Sequence, residues 1–232
     1  MATYDFAIVG GGLVGLATAR ALLERFPGKT LLLIEKEATW ASHQSGHNSG
    51  VLHSGIYYRP GTLRAKLGRE GRERMVAFCR DNGIAHDVCG KVIVATEERE
   101  LPLLDNLFKR GQENQLEVRM IDPGELREIE PHVAGLRAIH VPATGIADYH
   151  GVAARLVQMC QERGGDLRLN TRLLRQSAKS DVVTLETDKG EFQASFVITC
   201  GGLHADRLAL QAGAQLDARI VPFRGEYFHL HP

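Results

Sequence analysis

The chain has 232 residues, of which 44% are hydrophobic, and its 28 basic and 28 acidic residues balance. This length fits one large domain or two small ones with a real core, and the balanced charge gives no reason to expect nucleic acid as a partner. The four cysteines are scattered without a CxxC pair, so we expect neither a disulfide framework nor a zinc site. This cysteine usage suits a reducing compartment, and we expect a cytoplasmic protein.

The first forty residues have the pattern of a strand, a glycine turn, a helix and a second strand. Residues 4–9 are a short apolar run, apolar residues then repeat at helical spacing through Arg25, and residues 30–34 are a second apolar run followed by Glu35. Glycines interrupt the apolar stretch 6–23, so we do not predict a transmembrane segment.

The turn has the spacing GxGxxG, with Gly10, Gly12 and Gly15 at its fixed positions. In a dinucleotide-binding turn the first glycine permits the tight bend, the second lets the backbone approach a pyrophosphate, and the third lets the helix pack closely on the strand. The N–H groups at the helix start favour phosphates. Glu35 lies about 20 residues further on, where an acid binds a ribose hydroxyl and repels a 2′-phosphate. The pattern predicts NAD or FAD rather than NADP, the alternative being a purely structural strand-to-helix connection.

A stretch rich in glycine and histidine follows at residues 43–58, HQSGHNSGVLHSGIYY. It is too glycine-rich for an ordinary helix and too polar for a buried strand. Here the sequence resembles the FAD-dependent oxidoreductases of the D-amino-acid oxidase and glycerol-3-phosphate dehydrogenase superfamily. In that superfamily this region passes the pyrophosphate and reaches the flavin ring, a role that residues 45–50 would fill. The run 196–202 resembles a later superfamily strand whose terminal glycines lie close to the cofactor, and the resemblance places Leu173 at the adenine.

Three further segments carry a narrower resemblance. HQSGHNSGVLHSGIYYRPGTLRA, CGKVIVAT and PFRGEYF are similar to the L-2-hydroxyglutarate dehydrogenase/oxidase family. The resemblance implies FAD-dependent oxidation of L-2-hydroxyglutarate to 2-oxoglutarate by hydride transfer to flavin N5, with electrons passing to a quinone, another acceptor or oxygen. Oxidation of glycerol 3-phosphate or an amino acid, and flavin binding without catalysis, remain open alternatives. Members of this family are longer than 232 residues, so the resemblance implies that this chain is an N-terminal portion. Whether this portion catalyses the reaction by itself stays open.

The predicted fold class is α/β, with a Rossmann-like FAD-binding domain and a discontinuous α+β substrate domain that is incomplete in this chain. We assign residues 1–85 and 142–215 to the FAD-binding domain, and residues 86–141 and 216–232 to the partial substrate domain. The remaining predicted helices are 62–82, 97–112, one starting at Asp122, 151–163 and 204–212. The remaining predicted strands are 91–96, 138–141, 166–174, 182–187, 191–196, 196–202, 219–223 and 226–230, with a hairpin turn at 188–190.

Two side chains are the first candidates for chemistry on a 2-hydroxy acid. His53 is the candidate base, because its ordinary pKa lies near the working pH and it ends the flavin-facing stretch; a purely hydrogen-bonding role is equally open. Arg224 is the candidate anchor for a substrate carboxylate, since a guanidinium holds a carboxylate through two parallel hydrogen bonds. An ion pair between Arg224 and Glu226 is the alternative. The other candidate substrate contacts are Tyr58, Arg59, Glu226 and Tyr227.

The histidines invite a metal interpretation, which we do not favour. His43 and His47 have helical spacing, but no HExxH or cysteine pair accompanies them. Some superfamily members attach FAD covalently through a histidine, which would be His47 here, and we predict noncovalent binding. The predicted cofactor contacts are Gly10, Gly12, Leu13, Val14, Gly15, Glu35, Lys36, Ser45, Gly46, His47, Asn48, Ser49, Gly50, Leu173, Cys200 and Gly201. A peripheral contact with the inner membrane is compatible with a quinone acceptor.

Overall fold

A computed structural model describes residues 2–226 of the chain. Within this range the backbone separates into two compact units, the first formed by residues 2–47 and 152–226 and the second by residues 48–151. This division by packing differs from the predicted domain boundaries for residues 48–85 and 142–151, which lie in the second unit. The functional roles assigned to the two domains stay predictions.

The secondary structure alternates between strands and helices along most of the described chain. The strands, numbered in chain order, are β1 (Ala2–Val9), β2 (Leu31–Ile34), β3 (Val51–Leu52), β4 (His86–Asp87), β5 (Val92–Ala95), β6 (Arg119–Ile121), β7 (Arg137–His140), β8 (Gly145–Ala147), β9 (Asp166–Arg168), β10 (Leu173–Lys179), β11 (Val182–Thr187) and β12 (Gly190–Thr199). The α-helices are α1 (Leu13–Arg25), α2 (Leu63–Asp81), α3 (Leu101–Glu113), α4 (Pro123–Ile129), α5 (Tyr149–Glu162) and α6 (Ala205–Gln211). Short 3-10 turns, Glu98–Glu100 and Gly202–His204, precede α3 and α6. Between residues 2 and 226, no helix is long and apolar enough to cross a membrane.

The first unit is built on a six-stranded sheet with the order β10-β11-β12-β1-β2-β9. Strand β1 runs parallel to β12 and β2, and β2 runs parallel to β9, whereas β10, β11 and β12 pair antiparallel. Val9 pairs with both Ile34 and Thr199, so the carboxyl ends of β1, β2 and β12 meet at one edge. Ligands of parallel α/β sheets bind at this edge.

Apolar residues on the sheet form the core of the first unit. Helix α1 connects β1 to β2, and its Leu16 and Ala19 side chains are fully buried. Every residue of β2 is buried, as expected of a parallel strand covered on both faces. One face contributes a cluster of buried residues: Ala7, Val9, Leu32, Ile34, Leu185, Phe192 and Ala194.

The predicted first strand, α1, second strand and 188–190 hairpin are confirmed, but the predicted strand 166–174 is wrong as a single element. It divides into β9 and β10, which lie at opposite edges of the sheet. The break falls at Asn170, whose φ is +52°. The N–H groups of Asn170 and Thr171 donate to the carbonyls of Glu37 and Glu35, which draws the chain past the end of β2.

The predicted strand 219–223 is also wrong. These residues form no strand, and residues 216–226 are all exposed. The N–H of Ile220 donates to Oδ2 of Asp206 at 3.1 Å rather than to a neighbouring strand. The predicted strand 226–230 lies outside the described residues apart from Glu226, and Tyr227 lies outside them as well.

The second unit contains two small antiparallel sheets, β5-β7-β6 and β3-β8-β4. Ile56, Leu104, Ile139 and Val141 belong to its main apolar cluster, between the first of these sheets and α3. The predicted helix start at Asp122 is confirmed, because its Oδ1 accepts the N–H of Glu125 at 2.9 Å.

Candidate functional site

The glycine turn after β1 is closed by backbone contacts that exclude side chains. Gly10 has φ of +117°, and its N–H donates to the carbonyl of Ile34 at 2.9 Å. A Cβ on Gly10 would lie 2.4 Å from the carbonyl oxygen of Cys200, and one on Gly15 would lie 1.9 Å from the carbonyl oxygen of Gly10. The turn, α1 and the end of β12 can approach this closely only because these positions are glycine.

The first turn of α1 is contacted by the hydroxyl of Ser45, from the histidine-rich stretch. Gly12 is the N-cap residue and supplies no capping side chain. The Ser45 hydroxyl instead accepts the N–H of Leu13 at 3.0 Å, and a Cβ on Gly12 would meet the same oxygen at 3.0 Å. The helix N-terminus therefore combines a partial positive charge with a neighbouring hydroxyl, an arrangement suited to binding an anion.

Glu35, at the end of β2, is fixed by the glycine turn. Its Oε2 accepts the N–H of Gly11 at 2.6 Å, and its Oε1 accepts the N–H of Glu37 at 2.9 Å. Lys36 forms an ion pair with Glu37 on the same segment. The carboxylate thus connects the end of β2 to the glycine turn and stands where a ribose hydroxyl is expected.

A cleft of about 630 Å³ opens at this carboxyl edge, entirely within the first unit. Its volume lies in the range of small-molecule and cofactor sites. Nine predicted cofactor contacts line it: Gly10, Gly12, Val14, Glu35, Lys36, Ser45, Leu173, Cys200 and Gly201. The structure therefore brings together residues from the first fifth of the sequence and from positions beyond 170.

Several lining residues were not predicted from the sequence, among them His43, Gln44, Thr171, Arg172, Leu203, His204 and Arg207. The available signal was their position beside predicted contacts or on the helix after Gly201. Lys36, Arg172 and Arg207 give the lining three cations, against the single acid Glu35. This excess of positive charge favours an anionic ligand.

Two histidines face each other across part of the lining. The rings of His43 and His204 are 6.3 Å apart, and His43 Nε2 lies 3.0 Å from a Glu37 carboxylate oxygen. Burial, followed by the nearby cations Lys36 and Arg207, lowers the pKa of His204 below its ordinary value. This shift favours the neutral form of the imidazole.

The other predicted cofactor contacts lie outside the lining. Leu13 and Gly15 lie in α1 behind the turn, and Gly46 and His47 belong to a turn whose N–H groups donate to the carbonyl of His43. Asn48, Ser49 and Gly50 belong to the second unit, where the Asn48 side chain accepts the N–H of Gly50 at 2.8 Å. Their contact with a cofactor stays a prediction.

His53, the candidate base, lies in the second unit directly after β3. Its side chain is exposed, yet partial desolvation and the Lys91 ammonium lower the pKa of its imidazole below the ordinary value. A neutral imidazole at pH 7 can accept a proton. Tyr58 stacks beneath the guanidinium of Arg64, 4.7 Å from its ring centroid, and Arg59 is exposed.

Arg224 and Glu226 form the ion pair that was the alternative to a substrate role. Their side chains are 3.4 Å apart, and the Arg224 side chain is 86% exposed. Both residues are in the segment after α6 that forms no secondary structure. A substrate contact of Arg224 therefore stays a prediction. In the range 2–226, no group of three or more His, Cys, Asp or Glu side chains is placed to hold a metal ion.

A glycine turn, an acid at the end of β2 and a cation-lined cleft at the edge of a parallel sheet define a dinucleotide-binding protein of the Rossmann-like class. The chain belongs to the FAD dependent oxidoreductase (DAO) family, whose sequence model matches residues 5–232.

Two curated relatives and one solved structure show how close the similarity is. The mitochondrial L-2-hydroxyglutarate dehydrogenase of Nematostella vectensis is 44% identical, and the L-2-hydroxyglutarate dehydrogenase of Escherichia coli K12 is 43% identical. Each alignment covers 99% of this chain and 54% of the relative, so the chain spans about half the length of these proteins. The FAD-bound, dithionite-reduced L-alpha-glycerophosphate oxidase of Mycoplasma pneumoniae superposes with a TM-score of 0.86 at 28% identity, covering 92% of this chain and 58% of that protein.

Proposed function

We propose that the cleft of the first unit binds FAD and that the whole protein oxidises L-2-hydroxyglutarate to 2-oxoglutarate. The observation that carries the first part is the glycine cradle, in which a Cβ on Gly10 or Gly15 would collide with backbone atoms. The fit with the cofactor is chemical as well as steric. The helix start and the surplus cations suit a pyrophosphate, and Glu35 suits a ribose hydroxyl.

The reaction removes two hydrogens from the substrate. The C2 hydroxyl loses its proton, C2 loses a hydride, and the C–O bond becomes a carbonyl. FAD, when bound, supplies the hydride acceptor at N5. His53 is the proposed proton acceptor, because desolvation and then the Lys91 charge lower the pKa of its ring and favour the neutral form.

The relatives support this substrate over the alternatives. The sequences at 43% and 44% identity are named L-2-hydroxyglutarate dehydrogenases, whereas the glycerophosphate oxidase shares 28% of its aligned residues. We therefore favour L-2-hydroxyglutarate as the substrate over glycerol 3-phosphate and amino acids. A quinone or another acceptor for the electrons, and a cytoplasmic location peripheral to the inner membrane, complete the proposal; the four free cysteines suit such a reducing compartment.

Anaerobic reduction tests the proposal directly. The full-length, FAD-loaded protein is mixed with L-2-hydroxyglutarate, its D-enantiomer, glycerol 3-phosphate or an L-amino acid, and the flavin absorbance is followed. Bleaching by L-2-hydroxyglutarate alone is the expected result. A protein that retains the yellow cofactor and bleaches with none of these compounds would point to flavin binding without catalysis, and bleaching by another compound would replace the substrate.

A further inference from the structure

Lys91 is a half-buried cation in the second unit, immediately before β5. Its backbone is held from both directions, since its N–H donates to the carbonyl of Val141 at 3.2 Å and its carbonyl accepts the N–H of Val141 at 2.9 Å. Burial lowers the pKa of its ammonium. Within residues 2–226 the ammonium has no carboxylate partner at ion-pair distance. A partly desolvated charge without a counter-ion is costly unless a ligand supplies one.

The contact that holds this ammonium is an aromatic ring. Lys91 Nζ lies 4.4 Å from the centroid of the Tyr57 ring, which is within the range of a cation–π interaction. The ring face attracts the charge but accepts few of its hydrogen bonds. An ammonium has three N–H donors in a flexible point charge, so donors remain for an anion from outside.

His53 belongs to the same unit as Lys91. Desolvation, followed by the charge of Lys91, lowers the pKa of His53. His53 and Tyr57 are both exposed, so a small molecule can reach them. The Lys91–Tyr57 contact therefore supplies a fixed positive charge and an aromatic face, and His53 of the same unit supplies a proton acceptor.

We propose that Lys91 binds a carboxylate of the substrate and is a specificity-determining residue for 2-hydroxy dicarboxylates. The inference rests on the proposed function, because a 2-hydroxy acid carries the carboxylate that matches the ammonium and the hydroxyl whose proton matches His53. Lys91 is better suited to this contact than Arg224, since Arg224 is already paired with Glu226 and is 86% exposed.

The test measures ligand affinity without turnover. 2-Oxoglutarate, the product, is titrated calorimetrically into the full-length, FAD-loaded protein as wild type and as Lys91→Met, Lys91→Arg and Lys109→Met. Lys109 is an exposed lysine on α3 of the same unit, so its replacement controls for the loss of one surface charge. We expect Lys91→Met to weaken binding about 10- to 100-fold, the range for a hydrogen bond to a charged group. Lys91→Arg should recover part of the affinity, and Lys109→Met should bind as the wild type does.

Kinetics and cofactor content separate this role from a structural one. All variants should hold FAD in the wild-type ratio, and Lys91→Met should raise KM for L-2-hydroxyglutarate more than it lowers kcat. Equal affinity of Lys91→Met and wild type for 2-oxoglutarate would overturn the Lys91 assignment and leave the proposed function intact. A wild-type protein that binds no 2-oxoglutarate would overturn both. If Lys91→Met loses FAD, it is reconstituted with FAD before the titration. Weakened 2-oxoglutarate binding by the reconstituted variant then supports the contact, and wild-type binding contradicts it.

Discussion

Replacing Gly15 with alanine should separate the helix from the strand it packs on. The added Cβ would lie 1.9 Å from the Gly10 carbonyl oxygen, whereas ordinary contacts begin at 3.4 Å, so α1 must move by about 1.5 Å (3.4 − 1.9). Overpacking of a tightly packed site costs about 1–3 kcal/mol, occasionally more. The upper end of this range applies here, because the Cβ would meet backbone atoms of Gly10, which cannot rotate away as a side chain could. We expect Gly15→Ala to lower the unfolding free energy by about 3 kcal/mol, or Tm by roughly 6–12 °C.

The same displacement carries the first N–H groups of α1 away from the cofactor. Loss of one or two hydrogen bonds to a charged group should weaken FAD binding about 100-fold. Urea unfolding followed by circular dichroism, and the flavin-to-protein absorbance ratio after dialysis, measure the two effects. Gly71→Ala is the matched control, because Gly71 is exposed on α2 and a Cβ there would have no atom within 4 Å. Alanine at this helical position should raise the free energy of unfolding by about 1 kcal/mol. If Gly15→Ala kept wild-type stability and FAD content, the proposed helix packing would be refuted.

Three further changes test the site. Glu35→Gln removes an acceptor for the N–H of Gly11 or Glu37, and FAD affinity measured by fluorescence quenching should fall about 10- to 100-fold, with an unchanged affinity as the contrary result. Ser45→Ala deprives α1 of its hydroxyl acceptor, which is worth about 1 kcal/mol, and calorimetry should show Tm lower by roughly 2–4 °C; an equal Tm would show that water replaces the hydroxyl. The folded-state pKa of His53 is lowered, so the unfolded chain binds more protons as pH falls below about 6.5, and stability should decrease from pH 7 toward pH 5. His53→Gln should flatten this dependence in denaturant titrations, and an equally steep dependence in the variant would contradict it.

The sequence was most informative where local pattern and tertiary packing agree. The GxGxxG spacing, the apolar runs on either side and the terminal acid sufficed to predict β1, α1, β2 and Glu35, because each signal lies within one β–α–β unit. Leu173 and Cys200 were predicted only through a resemblance, since the sheet brings them to the cleft from more than 150 positions beyond the glycine turn.

The wrong predictions concern segments whose structure depends on hydrogen-bonding partners that are distant in the sequence. The apolar run 166–174 has the composition of one strand, but the N–H groups of Asn170 and Thr171 bond to the carbonyls after β2 and divide it. The run 219–223 has strand composition, but it pairs with no strand among the described residues, and the N–H of Ile220 bonds to the Asp206 side chain instead. The role of Arg172 and Arg207 in the cleft lining was likewise invisible, because isolated cations on a loop and a short helix resemble any solvated surface.

The pairing of β1 with β12 has a consequence for how the protein acquires its cofactor. Val9 and Thr199 are neighbours in the sheet although 190 positions separate them (199 − 9). Contacts at such long range form late, because a large loop must close first. A ribosome-bound chain that has not yet released β12 carries the glycine turn but lacks the wall supplied by Cys200 and Gly201, so flavin capture should await the emergence of that strand.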